Sequence, residues 1–408
     1  MKLVSVNFNN IPLGQPLPFS LRSSEGLLLA RKGYVFTERE ALDTLAAHGS
    51  LFTSEDESRV YMRQLNMRLQ SMAASDTNLA ELADTELPPV AAHFGNPNIG
   101  PADLPPEDDG PLDWYDMQVR ANALLREANS LRFMPRLDQL HRDLRLMATR
   151  QPDTTLFALI HLTAGETRYY SATHAMLVCV MCMLAAREVL TWSEELETTL
   201  GRASLTMNIA MTDLQDQLAR QTLEVSKEQR QLIDTHPVRS VELLRKRGVT
   251  DPVWLAAVLY HHSATAGPLA GRIAPLQIAR LIQRADGFAA RLSPRATRVA
   301  MAPAHAMQAT YFDESRKVDE AGASLIKALG IYPPGSFVRL ASQEVGTVVR
   351  RGANSLTPRV AVLINRHGMP MAEPAIRDTR VHEYRIVANV HARDIKVRTD
   401  LMRLLTLT

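Results

Sequence analysis

The sequence predicts a mainly α-helical protein with a small α/β domain at its amino end and a small β appendage at its carboxyl end. Three observations indicate this class. Apolar residues recur at intervals of three and four through most of the chain. Short β-type segments with turn residues lie on either side of that region, and a Pro-rich acidic stretch interrupts the chain. The expected boundaries are residues 1–70, 71–113, 114–335 and 336–408.

The composition is that of an ordinary globular protein. The 408 residues include 46 Lys+Arg and 44 Asp+Glu, so the net charge of +2 gives no reason to expect a nucleic-acid polymer as partner. Two cysteines, Cys179 and Cys182, are too few for a disulfide framework or a four-cysteine zinc site. The first residues lack the pattern of a signal peptide, and the apolar stretch Ala175–Ala186 is too short to span a bilayer. We therefore expect a cytoplasmic protein without a membrane span.

The amino-terminal domain is predicted to combine strands and a helix. Phe19–Arg22 and Leu27–Ala30 have the composition of two short strands joined by a turn. Thr37 and Glu40 form a capping-box pattern, which predicts the start of a helix. Residues 71–113 then contain nine acidic residues, seven prolines and neither Lys nor Arg, which predicts a flexible acidic linker.

Residues 114–335 are predicted to be an all-α domain. Apolar periodicity favours helices around Leu137–Leu144 and Ala175–Ala186, and a later helix is expected to end at Thr235, before His236-Pro237. Beyond Pro334-Gly335 the pattern changes to strands, and further helices and strands are expected over Glu194–Leu218, Val238–Arg247, Pro252–His262, Pro275–Arg291, Val318–Leu329, Ser336–Leu340, Val345–Val349, Arg359–Ile364 and Arg385–Val390.

Four histidines and one acid are the first candidates for chemistry. His174 lies in the most apolar helix, His236 precedes a proline, and His261 and His262 are adjacent. Asp286 lies within a largely apolar helix, where an isolated carboxylate would be costly unless it were paired or bound to a cation. Each residue also has a purely structural interpretation, since a single histidine on an apolar helix is usually a hydrogen-bonded core residue.

The order of five short segments is more specific than any one of them. They are Tyr170–His174, Ser226–Pro237, Leu259–His262, Ile278–Asp286 and Ile331–Leu340. In this order, residues 130–345 resemble the HD-GYP family, a branch of the HD-superfamily metal-dependent phosphohydrolases. The amino-terminal domain resembles a small domain often found upstream of such modules. The resemblance implies a multi-helix HD-type domain, a link to bacterial cyclic di-GMP signalling, and metal ligands at His174, His236, His261, His262, Asp286 and the position of Asn208.

The sequence also departs from the family pattern. Met207 and Asn208 stand where the family has its signature His-Asp, and Met211 replaces a following lysine. The loop after His262 contains no Gly-Tyr-Pro. Because the resemblance implies that the signature aspartate bridges two metals, a neutral amide at that position predicts the loss of two-metal hydrolysis.

Ligand counting leaves a one-metal site open. His236, His261 and His262 provide three imidazoles, a set that can hold Zn, Fe or Mn, whereas His174 and Asp286 alone are a poor set. Arg291 and Arg295 are candidate phosphate-binding residues because a guanidinium can bind phosphate through two hydrogen bonds, although a solvated helix end explains them as well.

Three functions follow as alternatives. The first is a degenerate HD-GYP-like regulatory protein with little or no phosphodiesterase activity, which binds a cyclic dinucleotide or a signalling partner protein. The second is an active phosphohydrolase with a non-standard one-metal site. The third is a scaffold without a ligand, and the sequence leaves a homodimer open in each case.

Overall fold

The computed structural model describes residues 114–165, 167–395, 397 and 401–408, and parts of the first 61 residues, namely 3–6, 11, 13–23, 28–30, 32–37, 39, 51–54, 57–58 and 61. The contacts within the chain divide it into two compact units, residues 1–116 and 117–408. The predicted linker, 71–113, and most of the helix expected to start at Thr37 lie outside the described residues.

The amino-terminal unit contains a four-stranded antiparallel sheet. Its strands are β1 (Leu3–Val6), β2 (Leu21–Arg22), β3 (Leu28–Ala30) and β4 (Leu51–Ser54), and their spatial order is β1-β4-β2-β3. Its apolar core comprises Ile11, Leu17, Phe19, Leu21, Ala30, Phe36 and Leu51. Both predicted strands in this region are therefore present among the described residues, as β2 and β3.

Helices form most of the second unit. In chain order they are α1 (Trp114–Arg126), which begins just before the unit boundary, α2 (Phe133–Arg150), α3 (Pro152–Gly165), α4 (Tyr170–Glu188), α5 (Glu194–Thr206), α6 (Thr212–Arg220), α7 (Lys227–Lys246), α8 (Pro252–Tyr260), α9 (Ala274–Leu292), α10 (Pro303–Tyr311), α11 (Glu320–Leu329) and α12 (Leu401–Leu405). Together with the two small antiparallel sheets, this confirms the predicted mainly α class.

Helix α4 is the central element of the helical core. It contacts α3, α5, α9 and α11, and every residue from Tyr170 to Ala186 is buried. Within the described part of the chain it is the one helix long and apolar enough to cross a bilayer, and 94% of its most apolar window is buried inside the protein. A core helix satisfies the same length and composition test. Cys179 and Cys182 lie on this helix as buried free thiols.

The helices differ from the prediction in two places, and both places carry candidate metal ligands. The segment predicted as one helix, Glu194–Leu218, is divided into α5, a 3₁₀ turn (Ile209–Met211) and α6, with Met207 and Asn208 at the break. Conversely, α7 runs without interruption through Pro237, where the sequence predicts an end. A proline inside a helix removes one backbone hydrogen bond, and the packing of α7 tolerates that loss.

A five-stranded antiparallel sheet follows the helices. Its strands are β5 (Phe337–Leu340), β6 (Val345–Arg350), β7 (Arg359–Ile364), β8 (Pro370–Asp378) and β9 (Ile386–Val390), in the order β8-β7-β6-β5-β9. The sheet is tied to the helices by Arg351, whose Nε lies 2.6 Å from Asp153 Oδ1 and whose Nη1 lies 2.7 Å from Glu188 Oε2. At Gly335, which has a φ of 92°, a side chain would collide with Ile160 of α3.

Candidate metal centre

The predicted metal ligands lie on five different elements of the helical unit. His174 is near the start of α4, and His236 lies in the middle of α7. His261 and His262 follow the last residue of α8, and Asp286 lies on α9. Asn208 occupies the break before the 3₁₀ turn. One ligand nitrogen from each of His236, His261 and His262 lies within 4.8 Å of the others, so the structure brings these three side chains together.

Pro237 determines the orientation of the His236 ring. In an uninterrupted helix the N–H of residue 237 would bond to the carbonyl of Ile233, but proline has no N–H. That carbonyl oxygen instead lies 2.5 Å from Nδ1 of His236. Because a carbonyl only accepts hydrogen bonds, Nδ1 is the protonated nitrogen and Nε2 keeps its lone pair.

The end of α8 has the same effect on His261. The last carbonyls of a helix lack partners within it, and the oxygen of Val258 lies 2.6 Å from Nδ1 of His261. The Nε2 atom of this ring therefore also carries a lone pair. The two Nε2 atoms lie 3.2 Å apart and face each other, although neither has a proton to share. Two nitrogens bound to one tetrahedral zinc at 2.0–2.1 Å would be about 3.3 Å apart, so the arrangement fits one cation.

The electrostatics of the pair favour neutral rings. Burial lowers the pKa of His236 to about 4, and burial together with the neighbouring His262 lowers the pKa of His261 to about 3. Neutral imidazole is the form that binds a metal. His262 is exposed, which leaves the cluster open to solvent on that side, and its backbone carbonyl accepts a hydrogen bond from Gln283 Nε2 at 2.9 Å.

His174 and Asp286 form a separate pair. Nε2 of His174 lies 2.7 Å from Oδ1 of Asp286. Burial opposes ionisation of this carboxyl group, but the hydrogen bond and charge of His174, followed by His262 and His261, hold its pKa below the ordinary value. The pKa of Asp286 is therefore influenced by two of the clustered histidines as well as by His174. Each partner of the pair nevertheless satisfies the other directly.

Met207 and Asn208 lie beside this pair. Met207 is buried and, with Asn208 and His174, lines a small internal cavity. Oδ1 of Asn208 and Nδ1 of His174 are buried and have no hydrogen-bond partner among the residues that the structure describes. An amide oxygen is neutral and has no second ligating oxygen, so this position is unsuited to bridging two cations.

The predicted phosphate-binding arginines are already engaged in part. Arg291 Nη1 donates to the carbonyl of Gly287 at 2.6 Å, within its own helix. Arg295 Nη2 donates to the hydroxyl of Tyr170 at 3.1 Å, and the Tyr170 ring stacks on His174 with centroids 5.9 Å apart. Tyr170, the first residue of the first motif, thus links Arg295 to His174 in the structure.

The chain is similar in sequence to one known protein and in fold to another. A scan against protein-family profiles finds no match. Among curated proteins, the chain is similar to the cyclic di-GMP phosphodiesterase PA4108 of Pseudomonas aeruginosa, with 25% identity over 234 residues, which are 56% of this chain and 55% of that protein. The chain thus matches about half the length of this relative. Among solved structures, it is similar to Bd1817, an HDG"Y"P protein of Bdellovibrio bacteriovorus, with 13% identity and a TM-score of 0.42 over 79% of this chain and 98% of the other.

The helical unit and the cluster of His236, His261 and His262 agree with the resemblance to HD-type proteins that the order of the motifs predicts. The curated relative supports the resemblance to HD-GYP proteins that the order of the motifs predicts, at low identity.

Proposed function

We propose that this chain is a regulatory HD-GYP-like protein of cyclic di-GMP signalling that binds one divalent cation and has little or no phosphodiesterase activity. The observation that carries the proposal is the pair of unprotonated Nε2 atoms of His236 and His261, 3.2 Å apart, with His262 completing the set. Three imidazoles suit Zn or Fe, and Mn is the third candidate.

The residues beside the three histidines form a poor site for a second metal. Two-metal hydrolysis requires a ligand that joins both cations at a separation of about 3.5–4 Å. Asn208 provides only a neutral amide there, and Met207 contributes no nitrogen. His174 and Asp286 are hydrogen-bonded to each other, with Nε2 and Oδ1 2.7 Å apart. We infer that the cavity beside them remains without a cation.

The link to cyclic di-GMP rests on the curated relative and on the family resemblance. The relative is a cyclic di-GMP phosphodiesterase, and this chain matches about half of it. We propose that this chain retains recognition of a cyclic dinucleotide, or of a signalling partner protein, and has lost efficient turnover.

Metal stoichiometry together with a turnover assay tests the proposal. The purified full chain is analysed by inductively coupled plasma mass spectrometry and incubated with cyclic di-GMP and its linear dinucleotide. We expect one metal per chain in wild type, loss of that metal in His261→Gln, and retention in the control His305→Gln, which lies outside the cluster. Two metals per chain with efficient hydrolysis would overturn the proposal.

One observation favours an alternative function, a phosphohydrolase that uses a single metal. His262 is exposed, so a cation held by the three imidazoles would keep an open position for water or substrate, as catalytic zinc sites do. A bound cation of this kind supplies Lewis acidity toward a phosphate ester. Hydrolysis by wild type that disappears in His261→Gln, at one metal per chain, would select this alternative.

A further inference from the structure

A row of four polar side chains runs along α9. Its members are spaced by three residues, so each lies next to the following one on the helix surface, and they are Gln277, Arg280, Gln283 and Asp286. Asp286 is the member that is hydrogen-bonded to His174. The other three all donate to backbone carbonyls in the turn and loop that follow α8.

Each of these three donors holds a different carbonyl. The distances are 3.1 Å from Gln277 Nε2 to Leu269 O, 3.0 Å from Arg280 Nη1 to Ala264 O, and 2.9 Å from Gln283 Nε2 to His262 O. Neighbouring side chains of one helix therefore fix the backbone of residues 262–269 at several points. The end of this segment that belongs to the histidine cluster is held by Gln283.

His262 differs from the two other histidines of the cluster. The rings of His236 and His261 are each fixed by a hydrogen bond between Nδ1 and a backbone carbonyl. The side chain of His262 is exposed, and its ring has no hydrogen-bond partner in the part of the chain that the structure describes. Its ring centroid lies 4.1 Å from that of His261 and 5.0 Å from that of His236. The place of this imidazole in the cluster therefore depends on its backbone, to which Gln283 is bonded.

Arg280 determines which way the amide of Gln283 points. Nη1 of Arg280 donates to Oε1 of Gln283 at 2.6 Å. Because a guanidinium only donates hydrogen bonds, the amide oxygen faces Arg280, and the amide nitrogen is left to donate to the carbonyl of His262. Arg280 is itself fully buried and bonded to Asp319, whose Oδ2 lies 2.9 Å from its Nε. A chain of hydrogen bonds thus runs from the start of α11 through α9 to the third histidine.

We propose that Gln283 is a positioning residue of the metal centre, which holds the backbone of His262 so that the third imidazole stays beside the other two. Gln283 provides no ligand and acts through His262. Contacts that orient a metal-binding histidine typically contribute about 10–100-fold in metal affinity. This inference rests on the proposed function, because the place of the third imidazole affects metal affinity only if the three rings bind one cation.

The Zn²⁺ affinity of the full chain, measured by competition with a chromogenic chelator, tests this role. Gln283→Met keeps the length of the side chain and removes the donor, and we expect it to bind Zn²⁺ at least about tenfold more weakly than wild type. Gln283→Ala should show the same loss. The matched control is Gln277→Met, which removes the same kind of bond at the far end of the same segment and should keep the wild-type affinity.

A double-mutant cycle with His262→Ala separates positioning from a general effect on the fold. In a chain that already lacks the third imidazole, Gln283→Met should cause no further loss of Zn²⁺ affinity. The visible absorption of bound Co²⁺ depends on the geometry and type of its ligands. We expect the Co²⁺ spectrum of Gln283→Met to shift toward that of His262→Ala, and thermal melting establishes that each variant is folded.

Equal Zn²⁺ affinity in wild type and Gln283→Met would overturn the positioning role and leave the proposed cation site standing. An equal loss caused by Gln283→Met with and without the His262 imidazole would also overturn it, because Gln283 would then act on the cluster as a whole. A wild type that binds no Zn²⁺ would overturn the proposed function together with this inference, so the two failures are distinguishable.

Discussion

Nε2 of His174 lies 2.7 Å from Oδ1 of Asp286, so two side chains that the family resemblance assigns to a metal are bonded to each other. A buried carboxylate requires a positive or donating partner, and here an imidazole provides it. The pair removes the need for a cation on this side of the centre. The neighbouring break at Met207 and Asn208 provides no replacement ligand.

Restoring the signature residues should restore a second cation. The double variant Met207→His/Asn208→Asp supplies a nitrogen and a bridging carboxylate next to Asp286 and His174. We expect the metal content to rise from one to about two per chain, since bridging carboxylates and histidines form such sites. Mass spectrometry checks the stoichiometry, with Met207→Leu as the control. Unchanged occupancy would show that other residues have closed the second position.

Pro237→Ala should lower the metal affinity and raise the free energy of unfolding. Alanine restores a backbone N–H that competes with Nδ1 of His236 for the Ile233 carbonyl, now 2.5 Å away. Loss of such an orienting contact typically weakens metal binding by about 10–100-fold. The free energy of unfolding should instead rise by about 1–3 kcal/mol, because proline is unfavourable inside a helix.

A chelator competition and a urea titration measure the two effects of Pro237→Ala. The control is Pro303→Ala, at the first position of α10, where proline removes no helical hydrogen bond. A variant that lost metal affinity and stability together would contradict the tautomer argument.

The buried ion pair between Arg280 and Asp319 should be a major stabilising contact between α9 and α11. Both side chains are fully buried, and Asp319 also caps α11 by accepting from Gly322 N at 2.9 Å. Asp319→Asn keeps the cap but removes the negative charge, and leaving a buried cation poorly paired costs about 3–5 kcal/mol. Glu314→Gln is the matched control, because Glu314 contacts the same arginine but is 60% exposed. Equal urea midpoints for Asp319→Asn and Glu314→Gln would contradict the larger contribution of Asp319.

Stability should fall in mildly acidic solution partly because of His141. Burial, followed by nearby Arg202, lowers its pKa from 6.5 to about 4. Between these values the unfolded chain binds a proton that the folded chain does not, so the free energy of unfolding falls as pH drops, by about 3 kcal/mol at most. Wild type and His141→Gln should therefore have unfolding free energies that converge from pH 7 to pH 4. Parallel pH profiles would show that His141 does not contribute.

The sequence predicts the fold best where the pattern of apolar residues along the chain matches their burial. Ala175–Ala186 is apolar on all sides, and the helix around it, α4, is buried along nearly its whole length. The expected end at Thr235 was wrong, because α7 continues through Pro237 to Lys246. The helix α10 was missed, since the short segment Pro303–Tyr311 has no marked apolar period.

The sequence predicts which residues form the candidate site but not the protonation of their rings. The order of motifs indicated His236, His261 and His262, and the structure brings them together. Their tautomers depend on two carbonyls, at Ile233 and Val258, which no spacing rule reveals.

Arg351 has a practical consequence for anyone who shortens this chain. Its guanidinium also donates to the carbonyl of Ala328, so one side chain from the carboxyl-terminal sheet joins α3, α4 and α11. A truncation after Gly335 would remove Arg351 and leave Asp153 and Glu188 without its guanidinium. Any fragment meant to isolate the histidine cluster should therefore retain the sheet as an integral wall of the same folded body.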